Sequence, residues 1–315
     1  MQKPMPRIGF IGCGAIGRRH AQNLKGRARL YFSSRSPASA EAFQKKFGGS
    51  VCATWEAMVA LPEIEAVLIC SPPQFHLPQI LAALDAGKAV LVEKPMCITP
   101  EEVTAVEQAL TACEHPLLMV AENYYYKPSL KLTKEAIAAG YLGTIQTAHL
   151  QKRFTQQTAG WKNAYGALLE GGIHFVALIS DLFETPPQTI QAAFPNHSPG
   201  QPERHTQLNL GYAGDVRVTL EYAWNIPSRT KGLFQHCHII GEHGRIVFES
   251  NGIYLRLVSR QRHRLHFPVK DLMGYGAMTN DFLACLENRE RQPYSDFAKA
   301  KRDLQIIFDA YAQLP

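Results

Sequence analysis

Gly12, Gly14 and Gly17 stand at the spacing G-x-G-x-x-G, inside a stretch (Arg7–His20) that reads as a buried strand, a glycine-rich turn and the start of a helix. That spacing suits a dinucleotide. The first glycine permits the tight turn, the second lets the backbone approach a pyrophosphate, and the third lets helix and strand pack closely. The anion then sits over the helix N-terminus, beside Ala15 and Ile16. Lys94 follows a short apolar run, at the end of a strand where ligands bind in open α/β sheets. A lysine there can hydrogen-bond a substrate oxygen and support proton transfer as hydride moves to or from a nicotinamide. Burial and a nearby positive ring would lower its pKa from about 10.4. Glu170 and His174 stand four apart on a predicted helix and so share one face. His174 could give or take a proton, and Glu170 could orient it or bind a substrate hydroxyl; a satisfied core histidine is the plainer alternative. No third ligand has recognisable spacing, so no metal is expected.

The end of the second strand bears on the choice of nucleotide. An NAD site places an acid there for the ribose 2′-hydroxyl, about 20 residues past the glycines. This chain has Ser33-Ser34-Arg35-Ser36 and no acid. A guanidinium with hydroxyls suits a 2′-phosphate, which points to NADP through Ser34 and Arg35, with NAD possible and a solvated loop arginine as the alternative. Arg18 and Arg19, in the first helical turns where positive charge is mildly unfavourable, suggest a neighbouring anion, with solvated side chains as the equal alternative.

The elements that must position these residues alternate. Strands are predicted at Arg7–Ile11, Arg29–Ser33, Ala66–Cys70, Ala89–Val92 and Leu117–Ala121, with helices from Ala15, from Pro37 behind Ser36, from about Phe75 to Ala86 before Gly87, and from Pro100 behind Thr99. The alternation implies a doubly wound parallel sheet, an α/β Rossmann domain over 1–122. Residues 123–315 change character: strands at 144–154, 188–194, 206–212, 216–224, 231–240, 244–249 and 252–258, helices at 167–183, 277–287 and 295–312. Val216, Val218, Leu220 and Tyr222 alternate with Arg217, Thr219 and Glu221, as in a sheet with one covered face and one more polar face. An α+β domain with a large, mostly antiparallel open sheet follows, for substrate binding and oligomerisation, whose last helix could pack back on the first domain.

Composition narrows the classes. At 315 residues, 46% hydrophobic and 19% charged, the chain can bury a sizeable core. No stretch approaches the roughly 20 apolar residues of a membrane span, and the glycine-turn strand begins too early for a signal peptide. Seven scattered cysteines without a CxxC pair suggest thiols in the cytoplasm. The net charge of +6 carries no basic run of the kind that binds nucleic acid, so a small molecule is the expected partner. The open sheet face lacks predicted helices to cover it, and exposed apolar patches of that size tend to be buried, so a homo-oligomer, most simply a twofold dimer, is expected.

Ordered motifs along the chain resemble the Gfo/Idh/MocA family of nicotinamide-dependent oxidoreductases. Glu93-Lys94-Pro95 resembles its E-K-P motif, Ser71-Pro72-Pro73 with His76 the segment after its fourth strand, Ala121-Glu122-Asn123-Tyr124 its hinge, and Gly166 to His174 its G-x-L-x-D-x-G-x-H helix. The resemblance implies a Rossmann domain plus a sheet domain often paired through the open face. It also implies cofactor contacts from Ser71, Pro72, His76, Glu93 and Lys94, and a cis bond before Pro95. Two positions depart from the pattern: Glu170 stands where aspartate is usual, and Ala177 where a further acid is common. Tyr124 to Lys127 precede Pro128 where many relatives have an arginine. Tyr124, Trp161 and Lys162 could wall the substrate pocket or simply pack. The implied activity is hydride transfer to or from a hydroxyl- or carbonyl-bearing carbon, commonly of a sugar, polyol or cyclic alcohol. A dinucleotide-binding regulator and a reductase of a non-sugar (a tetrapyrrole, imine or aromatic diol) remain the alternatives.

Overall fold

A computed structural model of the protein describes residues 4–315, so the first three residues of the expected 1–122 domain lie outside it. The chain divides into two compact units. The first runs up to Glu122 and takes in Tyr275–Lys301; the second comprises Asn123–Gly274 and Arg302–Pro315.

The first unit holds strands β1 (Arg7–Ile11), β2 (Arg29–Ser33), β3 (Ser50–Val51), β4 (Ala66–Ile69), β5 (Ala89–Val92) and β6 (Leu118–Val120). Between them come helices α1 (Ala15–Leu24), α2 (Pro37–Phe47), α3 (Trp55–Val59), α4 (His76–Asp85) and α5 (Pro100–Ala112). All six strands run parallel in the order β3-β2-β1-β4-β5-β6. Every residue of β4 (Ala-Val-Leu-Ile) and β5 (Ala-Val-Leu-Val) is buried, as strands flanked on both faces by helices require. The order reverses beside β1, which opens a crevice at the carboxyl ends of the strands. α5 starts where Thr99 accepts from the Glu102 N–H at 3.3 Å, while the Glu102 carboxylate accepts from Ile98 at 2.7 Å. The two-residue β3 and five-residue α3 were not expected, being too short to show a period.

The second unit contains α6 (Pro128–Ala138), β7 (Ile145–Arg153), α7 (Ile173–Phe183), β8 (Thr189–Ala193), β9 (His205–Tyr212), β10 (Val216–Ala223), β11 (His236–Gly241), β12 (Gly244–Glu249), β13 (Leu255–Ser259) and β14 (His263–His266). Its eight strands are ordered β14-β13-β12-β11-β7-β10-β9-β8, antiparallel except for the β7–β10 pair. Ala148, Leu150, Leu208, Val218, Leu220, Ile239 and Ile246 build the covered face. α7 packs there, with Phe175 at 5.8 Å from the Tyr222 ring and Phe183 stacked on Tyr212 at 4.7 Å.

Three expectations are corrected. The first concerns the boundary: α8 (Tyr275–Glu287) and residues to Lys301 belong to the first unit, although 123–315 was expected to be one domain. Met278, Phe282 and Cys285 are buried there, Arg27 bonds Asn280 at 2.7 Å, and Ser295 accepts from Val120 at 2.9 Å, extending the edge beside β6. The last helix, α9 (Phe297–Tyr311), is shared between the units. Secondly, the strand expected over 231–240 starts only at His236, because Thr230–Leu233 is a hydrogen-bonded turn. Thirdly, the uncovered face of the second sheet is the more polar face that the alternation of β10 suggests, not a continuous apolar patch. It carries Thr147, His149, Arg217, Thr219, Glu221, His238, Arg245 and Arg256, with Ile240, Val247, Val258 and the exposed Leu265 among its apolar members.

Candidate functional site

In the first unit, Gly12 turns the chain at φ +102°, its N–H donating to the Ser33 carbonyl at 2.9 Å. A Cβ there would stand 2.8 Å from the Cys70 carbonyl oxygen, and one on Gly17 2.7 Å from the Gly12 oxygen. Gly14, the residue before α1, faces open space instead, and the first turn of α1 holds no acid. Gly14 and Ala15 are exposed and Ile16 is half-buried. The result is an open cradle at a helix N-terminus, which fits a pyrophosphate. Ser34, half-buried, and Arg35, exposed, follow β2 at the same carboxyl edge.

Lys94 is half-buried directly after β5, and the Lys94–Pro95 peptide is cis. Its neighbours anchor it. Glu93 is buried, with its Oε1 at 2.7 Å from Nε2 of the buried His20 on α1. Tyr275 lies edge-on to His20 at 5.9 Å, and the Arg19 guanidinium sits 5.4 Å over the same phenol ring. Burial pushes the Tyr275 hydroxyl up, with the Glu93 and Glu122 carboxylates adding to it. His76 is fully buried; Nδ1 is 2.9 Å from the Pro95 carbonyl and Nε2 2.9 Å from that of Ser71. Burial holds the His76 imidazole below the usual histidine range, against those carbonyls, which favour its charged form. Ser71 donates to Gln79 at 2.6 Å, and Pro72 follows it half-buried. Among the residues expected at the cofactor, Glu93 and His76 thus brace the loops instead of opening onto free space.

In the second unit, Leu168–Gly172 forms a π-turn that runs into α7, so the predicted helix over 167–183 carries an irregular first turn. Glu170 is buried on that turn and His174 is half-exposed on the next. Lys162, on the Gly160–Ala164 turn, reaches Glu170 Oε1 at 2.8 Å and lies 5.5 Å over the Trp161 ring. The three residues are therefore one cluster. Tyr124 is buried and stacks on His174, with centroids 4.6 Å apart and planes 15° off parallel. The Lys127 ammonium sits 4.1 Å over the same phenol ring. Tyr124 is thus a backing for His174, not an open pocket wall. Among the described residues, no cluster of His, Cys, Asp and Glu is arranged to hold a metal ion.

Sequence reasoning missed Tyr222, Glu203 and Tyr311. The Tyr222 ring lies so close to Gly171 and Gly172 that any Cβ on Gly171 would collide with its hydroxyl. Burial pushes that hydroxyl up, with Glu170 and Glu203 adding to it. Only the alternation of β10, which turns Tyr222 inward, could have pointed to it. Glu203 lies in an aperiodic loop and gave no signal.

The residues 6–122 match the family model described as oxidoreductase family, NAD-binding Rossmann fold, and residues 130–247 match the GFO/IDH/MocA C-terminal domain. Inositol 2-dehydrogenase of Acidothermus cellulolyticus is 25% identical over 288 residues, covering 88% of this chain and 83% of the relative. An oxidoreductase from Agrobacterium radiobacter, solved with NAD+, L-tartaric acid and magnesium, superposes with a TM-score of 0.86 at 15% identity, over 98% of this chain and 97% of that one. KijD10, a 3-ketoreductase from Actinomadura kijaniata solved with NADP and TDP-benzene, gives a TM-score of 0.84 at 18% identity over 98% of both chains. These two structures share the fold.

His76 sets a pH dependence. Its folded pKa lies below the unfolded value of about 6.5, so the unfolded chain binds the proton more readily. Its stabilising effect is complete above that pH and declines as pH falls below it. His76→Leu should cost about 1–3 kcal/mol at pH 8, because the neutral imidazole donates to one of the two buried carbonyls and the variant strands it, and the gap from wild type should narrow between pH 6.5 and 5. Urea titrations at several pH values measure it; a gap constant across that range would refute the account.

Proposed function

Because the chain belongs to the GFO/IDH/MocA family of oxidoreductases, we propose that it is an NADP-dependent dehydrogenase or reductase that moves hydride between nicotinamide C4 and a hydroxyl- or carbonyl-bearing carbon of a sugar, polyol or related cyclic compound. The observation that carries this reading lies in the first unit. The strands are parallel, so the glycine turn after β1, Arg35 after β2 and Lys94 after β5 share one carboxyl edge. The inositol dehydrogenase relative supports a polyol. When bound, the nicotinamide gives or takes the hydride. The Lys94 ammonium donates to the substrate oxygen and exchanges its proton. His174, held flat against Tyr124, shares that proton work, and Glu170, steadied by Lys162, accepts from a substrate hydroxyl. Seven scattered thiols, four of them buried, favour a reducing compartment such as the cytoplasm. No described helix is long and apolar enough to cross a membrane.

NADP(H) should bind more tightly than NAD(H). One charged hydrogen-bond partner is worth about 1.5–3 kcal/mol, or roughly 10–150-fold, and Arg35→Ala should lose that margin. Fluorescence titration of both nucleotides decides; equal affinities, or an unchanged mutant, refute it.

Lys94→Met should fold and change NADP(H) affinity little, since the glycine cradle lies elsewhere, yet lose about 10²–10⁴-fold in turnover. His174→Ala should fall in the same range and Glu170→Gln less. A panel of polyols including myo-inositol supplies the assay. Near-normal kcat in Lys94→Met would exclude the proton relay.

The open face of the second sheet is the surface we assign to a twofold homo-oligomer, joined by its polar rows as well as by Ile240, Val247 and Val258. Light scattering at micromolar concentration should give twice the chain mass; a clean monomer would end the proposal.

A further inference from the structure

We infer that Glu203 and Tyr311 are positioning residues for Glu170 and His174, an inference that rests on the catalytic roles proposed above. The opening N–H groups of a helix have no partner within it. Here the π-turn has no capping side chain of its own. The cap comes from elsewhere in the unit. Glu203 Oε2 accepts from the Ala167 N–H at 2.6 Å and Oε1 from that of Leu168 at 2.8 Å. The Tyr311 hydroxyl accepts from the Leu169 N–H at 3.1 Å and donates to Glu203 Oε1 at 2.6 Å. Three consecutive amides thus end on one buried carboxylate and one phenol, and Glu170 is the next residue along.

Two further features make this a locating device. Gly166 leaves room for it: a Cβ there would run into both the Glu203 carboxylate and the Tyr311 hydroxyl. On the other side, the Tyr222 ring lies hard against Gly171 and Gly172. The segment carrying Glu170 is therefore held at its start by hydrogen bonds and along its flank by an aromatic wall. Burial pushes the Glu203 carboxyl above its usual range, and the Tyr311 hydroxyl and the two amides, which favour its charge, only partly oppose that. A buried anion aimed at a helix N-terminus is in its best electrostatic setting. Loss of the cap leaves the turn free to slide, and misplacing a reacting group by about 1 Å costs up to roughly 10²-fold in rate.

Tyr311→Phe removes one hydroxyl; Glu203→Gln removes the charge and one acceptor. The decisive readout is the His174 imidazole resonance in protein labelled at histidine, identified by its loss in His174→Ala. Stacking on Tyr124 shifts it upfield. In both variants it should move toward the free-imidazole position while the His20 and His76 signals stay. On the polyol found by the panel, kcat/KM should fall about tenfold with NADP(H) affinity unchanged. If Glu203→Gln does not fold, Tyr311→Phe decides alone. A His174 resonance unmoved in the folded variants overturns the inference. Normal turnover by His174→Ala overturns the catalytic reading, and the inference with it, by a separate measurement.

Discussion

A buried imidazole–carboxylate contact, His20 to Glu93 at 2.7 Å, joins the two parts of the first unit on which its chemistry depends. His20 is on the helix that follows the glycine turn; Glu93 immediately precedes Lys94. The contact fixes the distance between the glycine cradle and Lys94. It is almost dry, with His20 at 1% exposure and Glu93 at 7%. Removing either partner would leave the other buried and unbonded, a cost of about 1–3 kcal/mol. His76 repeats the device one loop away, holding the Ser71 and Pro95 carbonyls together. The polar residues that look functional in the sequence here divide into those left at the open edge and those buried beside them that hold the loops still.

The second unit solves the same problem with other groups. His174 is half-exposed, yet its ring is backed by Tyr124, which also lies under the Lys127 ammonium. A cation over a phenol ring is favourable by about 0.5–2 kcal/mol, and it restrains the ring that restrains the imidazole. Glu170 is more deeply buried and would be costly as an isolated charge; the Lys162 ammonium at 2.8 Å offsets that cost while leaving Lys162 itself in reach of solvent. The methylene that distinguishes Glu170 from the family's usual aspartate therefore carries a charge already partnered from the Gly160–Ala164 turn.

Much of this was legible in the sequence, for physical reasons. Elements with a strong period appeared where expected: fully apolar β4 and β5, the alternating β10, and helices opened by Thr99-Pro100 and Ser36-Pro37. The glycine turn was readable because its backbone conformation tolerates few residues. What escaped had no local signature. Glu203 and Tyr311 act on Ala167–Leu169 across more than thirty residues of sequence, and no spacing rule reports such a contact. The C-terminal exchange of Tyr275–Lys301 into the first unit rests on packing of Met278 and Phe282 and on one edge bond at Ser295, again non-local. His76 was visible as a motif residue, but whether its ring met a ligand or two carbonyls depended on the direction in which α4 begins.

Lys94 and His174, the two groups given proton work, are the less buried members of their neighbourhoods, whereas Glu93, Pro95, Tyr124 and Glu170 beside them are buried. A proton carrier must meet substrate and exchange with solvent, so it cannot itself be locked in the core. Its orientation must then come from residues that are. Lost side-chain entropy is spent on the neighbours during folding, before any substrate arrives, and the reactive group has little freedom left to lose. The buried polar residues beside Lys94 and His174 thus turn hydrogen bonds made once, on folding, into fixed directions for a few more exposed atoms.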